Sequence, residues 1–155
     1  MIRPATTADI PRIMDLLRQV ADVHHQLRPD LFKPGTTKYS EQELALLLGR
    51  EDSPIFVYDE GGVLGYAFCQ ISEQRNDRLL QDRKTLYIDD ICVDEQARGR
   101  HIGKALFDFV RGYAAQTGCH SLTLNVWSGN EAATAFYRNM CMHTLKTCME
   151  LLIVR

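Results

Sequence analysis

The spacing of apolar residues along the chain predicts alternating helices and strands. Apolar side chains recur at helical intervals in four segments, at residues 6–21, 40–48, 102–114 and 130–140. Apolar or alternating runs predict strands near Ile2 and at residues 54–72 (a hairpin), 85–93, 121–127 and 143–154. The predicted order is therefore βααβββαβαβ. It indicates an α/β layered domain whose hairpin strands add antiparallel pairs to a central sheet.

Polar residues at the segment boundaries support these helices. Thr6 or Thr7 can cap the first helix, and Asn130 the last. Ser40 with Glu43 three residues later forms the capping-box pattern before the second helix. Two segments lack a clear period. Residues 22–40 contain prolines and are predicted to be only partly helical. Residues 73–84 are highly charged and are predicted to be an exposed loop or the end of a short helix.

Composition narrows the class of protein. A chain of 155 residues with 45 % hydrophobic and 25 % charged residues predicts one globular domain over residues 1–155. A net charge of only −2 gives no support to nucleic-acid binding. The five cysteines form no C-x-x-C pair, which disfavours structural zinc and predicts buried thiols in a reducing compartment. We expect a cytoplasmic protein, since neither a secretory leader nor a membrane-length apolar stretch is visible. No metal is expected, because paired ligands are missing.

A cationic, glycine-containing turn precedes the helix predicted at 102–114. The free N–H groups at the start of a helix carry partial positive charge, and glycines let such a turn curl around an anion. Basic residues oppose the helix dipole there, so their presence is best explained by a bound phosphate or pyrophosphate. The spacing fits neither the P-loop nor the dinucleotide fingerprint. The residues of this turn are Arg98, Gly99, Arg100, His101, Ile102, Gly103 and Lys104.

The strand before this turn carries two adjacent acids in an apolar run. Asp89 and Asp90 are flanked by Ile88 and Ile91. Neighbouring residues of a regular strand point to opposite faces of the sheet, so we expect the two carboxylates to have different roles. Burial beside a second carboxylate raises the pKa of a carboxyl group and makes it a better base near neutral pH.

Two motifs in this order resemble the GNAT superfamily of N-acetyltransferases. "VDEQARGRHIGKALFDFV" is similar to its acetyl-CoA motif, matched at Gln96, Gly99 and Gly103; His101 stands where the family usually has glycine or alanine. "NEAATAFYRNM" resembles its downstream motif N-x-x-A-x-x-F-Y. The resemblance extends over nearly the whole chain. It implies a mixed, mostly antiparallel central sheet with helices on both faces.

The resemblance also implies where acetyl-CoA would bind. Residues 98–104 would hold the pyrophosphate, and the pantetheine arm would pair with the splayed strand backbone at Ile91, Cys92 and Val93. In the downstream motif Asn130 would bond the pantetheine, Ala133 and Phe136 would line the thioester side, and Tyr137 would donate a proton to the departing thiolate. A backbone N–H near Ile91 or Cys92 would stabilise the oxyanion.

The acid pair is similar to that of the polyamine and diamine acetyltransferases of the superfamily. By that resemblance Asp89 would be the base, acting through water, and Asp90 would anchor the amine. Glu73, Tyr87 and Glu150 are alternative candidates. His24 and His25 lie in residues 22–40, which correspond by the resemblance to the superfamily's variable helical segment. They are either an ordinary half-exposed pair, or they bind an acidic group of the acceptor or act as an alternative base. Asn125 and Trp127, on the polar face of their strand, can line the acceptor pocket.

The function predicted is acetyl transfer from acetyl-CoA to a primary amine, by direct transfer in a ternary complex. A small-molecule acceptor is favoured because of the acid pair. A protein N-terminus or lysine as acceptor is the first alternative, and a non-catalytic CoA-binding module is the second. No nucleic-acid or membrane partner is expected, and a homodimer is possible.

Overall fold

The computed structural model describes residues 1–153, which form five strands and four α-helices. The strands are β1 Ile2–Pro4, β2 Ile55–Asp59, β3 Val63–Gln74, β4 Arg83–Val93 and β5 Ser121–Leu124. The helices are α1 Ile10–Leu27, α2 Glu41–Leu47, α3 Ile102–Gln116 and α4 Glu131–Asn139. Except for a closing strand, the element order is the one that the apolar pattern predicts.

The sheet is mixed and mostly antiparallel. Its strand order is β1-β2-β3-β4-β5, and every neighbouring pair is antiparallel except β4–β5, which is parallel. The turn between β2 and β3 is closed by Asp59, whose carboxylate accepts the N–H of Gly62 at 3.0 Å. A parallel pair needs a crossover, and α3 supplies it. The predicted fold class is therefore confirmed.

Helices cover both faces of this sheet. On one face Val57, Tyr66 and Phe68 are buried in a cluster with the apolar side of α1. The neighbouring residue Phe56 points to the other face, where its ring lies 4.9 Å from that of Phe109 in α3. Gly65 is on this second face as well. A Cβ there would meet the Leu106 side chain at 3.1 Å and the Cys92 carbonyl oxygen at 2.7 Å, so α3 packs where only glycine fits.

Two element boundaries differ from the sequence prediction. The first helix continues past residue 21 to Leu27, because no glycine or proline interrupts it before Pro29. The strand predicted over residues 121–127 ends at Leu124, where its pairing with β4 also ends, at Ile88. Asn125 and Trp127 therefore follow the strand and do not lie on its polar face, which corrects their predicted placement.

The closing strand is not formed in the described part of the chain. Residues 143–153 adopt neither helix nor strand, although apolar and polar residues alternate there. An alternating pattern gives a strand only when a neighbouring strand supplies the ladder hydrogen bonds. Val154, which the prediction included, lies outside the described residues.

The chain divides into two compact units. The first, Met1–Asn125, contains the complete sheet and α1 to α3. The second begins at Val126 and contains α4. The single domain over residues 1–155 stays a prediction. No helix among residues 1–153 is long and apolar enough to cross a membrane.

Candidate active site

A β-bulge in β4 lies at the two aspartates. Ile88 pairs with Cys69 and Asp90 pairs with Phe68, so that Asp89 is an extra residue without a partner on β3. A bulge shifts the alternation of side chains by one position. Before it, Leu86 and Ile88 oppose Ile71 and Cys69; after it, Asp90 and Cys92 oppose Phe68 and Tyr66, on the α1 face.

The bulge places both carboxylates on the same side of the sheet. Asp90 accepts a hydrogen bond from Tyr66, and Asp89 accepts one from Tyr39, whose ring stacks on Phe68 at 5.5 Å. Tyr66 and Phe68 alternate on β3 and so share a face. The expectation that the two acids point to opposite faces is therefore wrong, because it assumed a regular strand.

Asp90 is a partly buried carboxylate with one strong donor. The hydroxyl of Tyr66 donates to its Oδ2 at 2.6 Å. Desolvation raises the pKa of Asp90 to about 6, while the hydrogen bond from Tyr66 and the charge of Lys38 act in the opposite direction. Burial and the nearby carboxylate also raise the pKa of Tyr66, so its hydroxyl remains a donor. Asp90 therefore titrates close to neutral pH, as a general base should.

Asp89 is held by two groups from the segment between α1 and α2. Lys38 Nζ donates to its Oδ1 at 2.7 Å and Tyr39 Oη donates to its Oδ2 at 2.6 Å. Its side chain is only 10 % exposed, whereas that of Lys38 is 49 % exposed. The two acids are thus chemically different although they share a face: Asp89 is paired with a cation, and Asp90 is not.

Beyond the bulge, one backbone edge of β4 lacks a strand partner among residues 1–153. Pairing with β3 continues from Arg83 to Val93, but pairing with β5 covers only Thr85 to Ile88. Ile91, Cys92 and Val93 therefore make no strand pairing on their β5 side within the described residues, and an unpaired strand edge is the kind that an extended ligand can join. This is the edge where the sequence predicts the pantetheine arm.

The turn after β4 is fixed by a buried acid. Asp94 accepts the N–H of Gln96 at 3.0 Å and also forms an ion pair with Arg12 of α1. The backbone N–H of Asp94 donates to Leu64 at 2.8 Å, which ties the turn to β3. These contacts hold the pKa of Asp94 below its usual value. The first residue of the loop that follows is therefore held in place by these contacts.

The loop and the start of α3 suit a phosphate group. Gly99 has φ +80°, and no atom lies within 4 Å of where its Cβ would be, so the backbone is open on that side. Arg98 is exposed and forms no ion pair within the described chain. Arg100 pairs with Glu60, and Lys104 pairs with Asp108 at 2.6 Å. The predicted cations are thus present, two of them already held by carboxylates. The side chain of Ile102 is in the core, so this residue has only backbone groups to offer a ligand.

His101 occupies a left-handed backbone position. It is the residue before α3, with φ 61° and ψ 19°. A residue with a Cβ pays about 1–2 kcal/mol for this conformation. Glycine would avoid that cost at this position.

Replacing His101 with glycine is expected to stabilise the protein by about 0.5–1 kcal/mol, since the relief of strain exceeds the added freedom of the unfolded chain. Urea unfolding of H101G measures the gain. H101A is the matched control, because alanine removes the imidazole but keeps the strained backbone. An equal gain in H101A would show that the backbone conformation is not the cause.

The second motif forms α4 and its cap. The Asn130 side-chain oxygen accepts the N–H of Ala133 at 3.2 Å, as predicted for the cap, which leaves its NH2 group as a donor. Phe136 and Tyr137 are half-buried neighbours whose rings meet at 5.1 Å, edge to face. The role of Tyr137 as an acid stays a prediction.

The other predicted acceptor residues are two histidines at the end of α1 and two residues that follow β5. His24 stacks on Phe32 at 5.1 Å. Burial and the charge of Lys38 lower the pKa of His24, so its imidazole is close enough to Lys38 to sense the charge. His25 bonds the Phe32 carbonyl oxygen at 2.7 Å and so fixes the loop after α1. Asn125 donates to the Tyr87 hydroxyl at 3.2 Å. Trp127 is 41 % exposed and belongs to the second unit.

The alternative acids are less suitable. Glu73 opposes Lys84, five residues before Asp89 on β4, so it lies ~16 Å along the strand from the bulge. It is also paired with Arg75 and Lys84. Tyr87 accepts a hydrogen bond from Asn125. Glu150 belongs to the second unit, and its candidacy stays a prediction. No cluster of three potential metal ligands occurs among residues 1–153.

Sequence reasoning missed the partners of the two acids. Tyr66 has the only detectable signal, since it lies at an inward position of a strand and a buried hydroxyl needs an acceptor. Lys38 and Tyr39 lie in a segment without periodicity, and nothing in the local sequence connects them to β4. The ion pair between Asp94 and Arg12 was also missed, because the two residues are far apart in sequence and nothing local connects them.

With this geometry established, comparison with known proteins identifies the family. The sequence model of the acetyltransferase (GNAT) family matches residues 20–141. The chain belongs to this family, whose members use acetyl-CoA as acetyl donor. Comparison with curated protein sequences finds no match.

Solved structures agree with this assignment. A mutant of the BH1408 protein from Bacillus halodurans has 29 % identity and a TM-score of 0.95, with 99 % of both chains covered. A putative acetyltransferase from Agrobacterium tumefaciens str. C58 has 22 % identity and a TM-score of 0.74, covering 98 % of this chain and 99 % of that one. The aminoglycoside acetyltransferase meta-AAC0020, from an uncultured soil metagenomic sample and in complex with sisomicin, has 18 % identity and a TM-score of 0.74, covering 100 % and 95 %. The last two similarities establish the fold alone.

Proposed function

We propose that this protein transfers the acetyl group of acetyl-CoA directly to the primary amine of a small molecule. The observation that carries the proposal is the pair of carboxylates brought to one face of the sheet by the bulge in β4, directly before an open backbone edge. One of them, Asp90, has a pKa raised to about 6. A carboxylate whose pKa lies near the working pH can remove a proton from an amine. The neighbouring unpaired stretch of β4 could hold the pantetheine of the acetyl donor.

The donor side consists of residues of the first motif. Acetyl-CoA would supply the acetyl thioester. Arg98 and the N–H groups at the start of α3 would hold its pyrophosphate, and the backbone at Ile91 to Val93 would hold its pantetheine. In this arrangement Arg100 and Lys104 neutralise Glu60 and Asp108, so these two acids do not repel an anion at the loop. Asn130, Ala133 and Phe136 keep the roles implied by the family motif.

The acceptor side follows from the different contacts of the two acids. An alkyl ammonium must lose a proton before its nitrogen can attack. Asp90 has no cationic partner and a pKa near neutrality, which favours it as the base, directly or through water. Asp89 already forms an ion pair with Lys38, so its carboxylate is occupied by a cation from the protein. The contacts thus favour Asp90 as the base, in place of Asp89, the base carried over from the polyamine and diamine enzymes.

Acetylation of a panel of primary amines tests the proposal. Release of free CoA is measured with acetyl-CoA and each amine in turn, and mass spectrometry of the product identifies the amide. We expect turnover with at least one class of small amine and a ternary-complex kinetic pattern. Tight CoA binding without turnover of any amine would contradict the proposal and favour a non-catalytic CoA-binding module.

The protein-acceptor alternative uses the same assay. Peptides with a free N-terminus or an internal lysine replace the small amines. If peptides are acetylated and small amines are not, the acceptor class proposed here is wrong while acetyl transfer stands. A small-molecule acceptor is favoured because Lys38 and Tyr39, from the segment before α2, bond both oxygens of Asp89 and leave its side chain only 10 % exposed.

A further inference from the structure

The ion pair between Lys38 and Asp89 sets the charge of the acceptor site. We propose that Lys38 makes the site selective for monoamines, because its ammonium group occupies the carboxylate that would otherwise bind the second charge of a diamine. This inference rests on the proposed function and specifies its acceptor class. It also departs from the polyamine and diamine enzymes, in which both adjacent acids are implicated in handling the amine substrate.

Both oxygens of Asp89 already have donors from the protein. Oδ1 accepts from Lys38 Nζ at 2.7 Å and Oδ2 accepts from Tyr39 Oη at 2.6 Å. The side chain of Asp89 is 10 % exposed, so little of it remains for a ligand. A cation that binds there must displace Lys38 first.

Lys38 is tethered close to its partner. The next residue, Tyr39, stacks on Phe68, and Ser40 accepts the N–H of Glu43 as the cap of α2. The Lys38 ammonium also lies 5.8 Å from the centre of the Tyr39 ring. Because the backbone on its C-terminal side is fixed, the ammonium stays near Asp89 at a high effective concentration. An exposed lysine on a mobile loop would not have this advantage.

The charges around the two acids leave room for one cation. Asp89 and Asp90 contribute two negative charges at neutral pH, and Lys38 contributes one positive charge. Burial and the charge of Lys38 lower the pKa of His24, so that imidazole is neutral and adds nothing. Asp90 is hydrogen-bonded by Tyr66 and has no cationic partner among residues 1–153. The remaining negative charge therefore belongs to the acid that is proposed to receive the reacting ammonium.

A purely structural role is the competing explanation. In that case the ion pair only holds the segment before α2 against β4. Loss of Lys38 would then weaken folding, or lower the activity with every amine by the same factor. Selectivity by charge predicts instead a change in the ratio between diamines and monoamines of equal length, which a structural role does not alter.

The experiment measures kcat/KM for linear diamines of increasing length and for the monoamines with the same number of carbon atoms. We expect wild type to prefer monoamines and K38M to raise the diamine-to-monoamine ratio about tenfold, as expected for release of one partly screened charge pair. K38R should restore the wild-type ratio. D89N should move the ratio in the opposite direction, since the Lys38 charge is then uncompensated. K33M is the matched control, because Lys33 lies in the same segment, is exposed and has no ion pair in the described chain.

Equilibrium binding of the same amines, measured by calorimetry, distinguishes a failure of the Lys38 selectivity from a failure of amine acetylation itself. An unchanged ratio in K38M, in turnover and in binding, overturns the selectivity while amine acetylation stands. Wild type that binds diamines more tightly than monoamines overturns it as well. If no amine is acetylated but K38M gains diamine affinity and K33M does not, the proposed reaction fails and the charge role of Lys38 stands.

Discussion

Replacing Asp90 with asparagine is expected to lower kcat/KM for amine acetylation by roughly 10²–10⁴-fold, the usual contribution of a general base. Asparagine keeps the size of the side chain and can still accept the hydrogen bond from Tyr66, but it cannot accept a proton. The pH profile gives the sharper test. In wild type only the ionised carboxylate is active, so kcat/KM should rise with pH through an inflection near 6. In D90N this acidic limb should disappear.

Tyr66 provides a second measurement on the same group. Its hydroxyl stabilises the ionised form of Asp90, so Y66F should raise the pKa of Asp90 further and move the acidic limb to higher pH. Y113F is the matched control, since Tyr113 packs on Phe56 on the other face of the sheet. A limb that stays in place in D90N would assign the titration to another group, and Asp89 would then be the first candidate.

Unfolding does not explain the expected loss of activity in D90N. Folding raises the pKa of Asp90 from 3.8 to about 6, so the native state binds this proton more tightly than the unfolded state does. Stability therefore falls as pH rises through this interval, by at most ~3 kcal/mol above it. Because asparagine carries no charge, D90N should resist urea at neutral pH at least as well as wild type. A less stable D90N would contradict this reasoning.

Replacing Tyr137 with phenylalanine is expected to lower kcat about 10²-fold and to leave the binding of CoA nearly unchanged. Phenylalanine keeps the edge-to-face contact with Phe136 and removes only the hydroxyl that would protonate the departing thiolate. Stopped assays give kcat, and calorimetry gives the affinity for CoA. Y113F again serves as the tyrosine-to-phenylalanine control.

The outcome for Y137F also separates the hypotheses about function. A non-catalytic CoA-binding module predicts no effect beyond a small change in stability. Loss of CoA affinity equal to the loss of kcat would indicate that the hydroxyl binds the cofactor and is not the acid. Only a fall in kcat with retained affinity supports the role implied by the family motif.

Much of the fold was predictable because each element carries a local signal. Alternation and caps located the five strands and four helices of the described chain, and the cationic glycine turn lies between β4 and α3 as predicted. Capping by Asn130 and Ser40 followed from hydrogen bonds within four residues. Such features depend on neighbours in sequence, so the sequence is sufficient for them.

The errors have a common cause. The closing strand and the end of β5 were wrong because a strand exists only where another strand pairs with it. The relation between Asp89 and Asp90 was wrong because one unpaired residue in β4 reverses the alternation, and the register between β3 and β4 is a property of the sheet.

The sequence by itself thus determined the family, the layered fold and the position of the cationic glycine turn, all of which depend on local pattern. Only the tertiary structure decided the chemistry of the acid pair. The bulge turns both carboxylates to one face, Tyr66 and desolvation set the proton affinity of Asp90, and Lys38, 51 residues away in sequence, neutralises Asp89. Charge and burial act through space, and the distances that govern them are fixed only when the chain has folded.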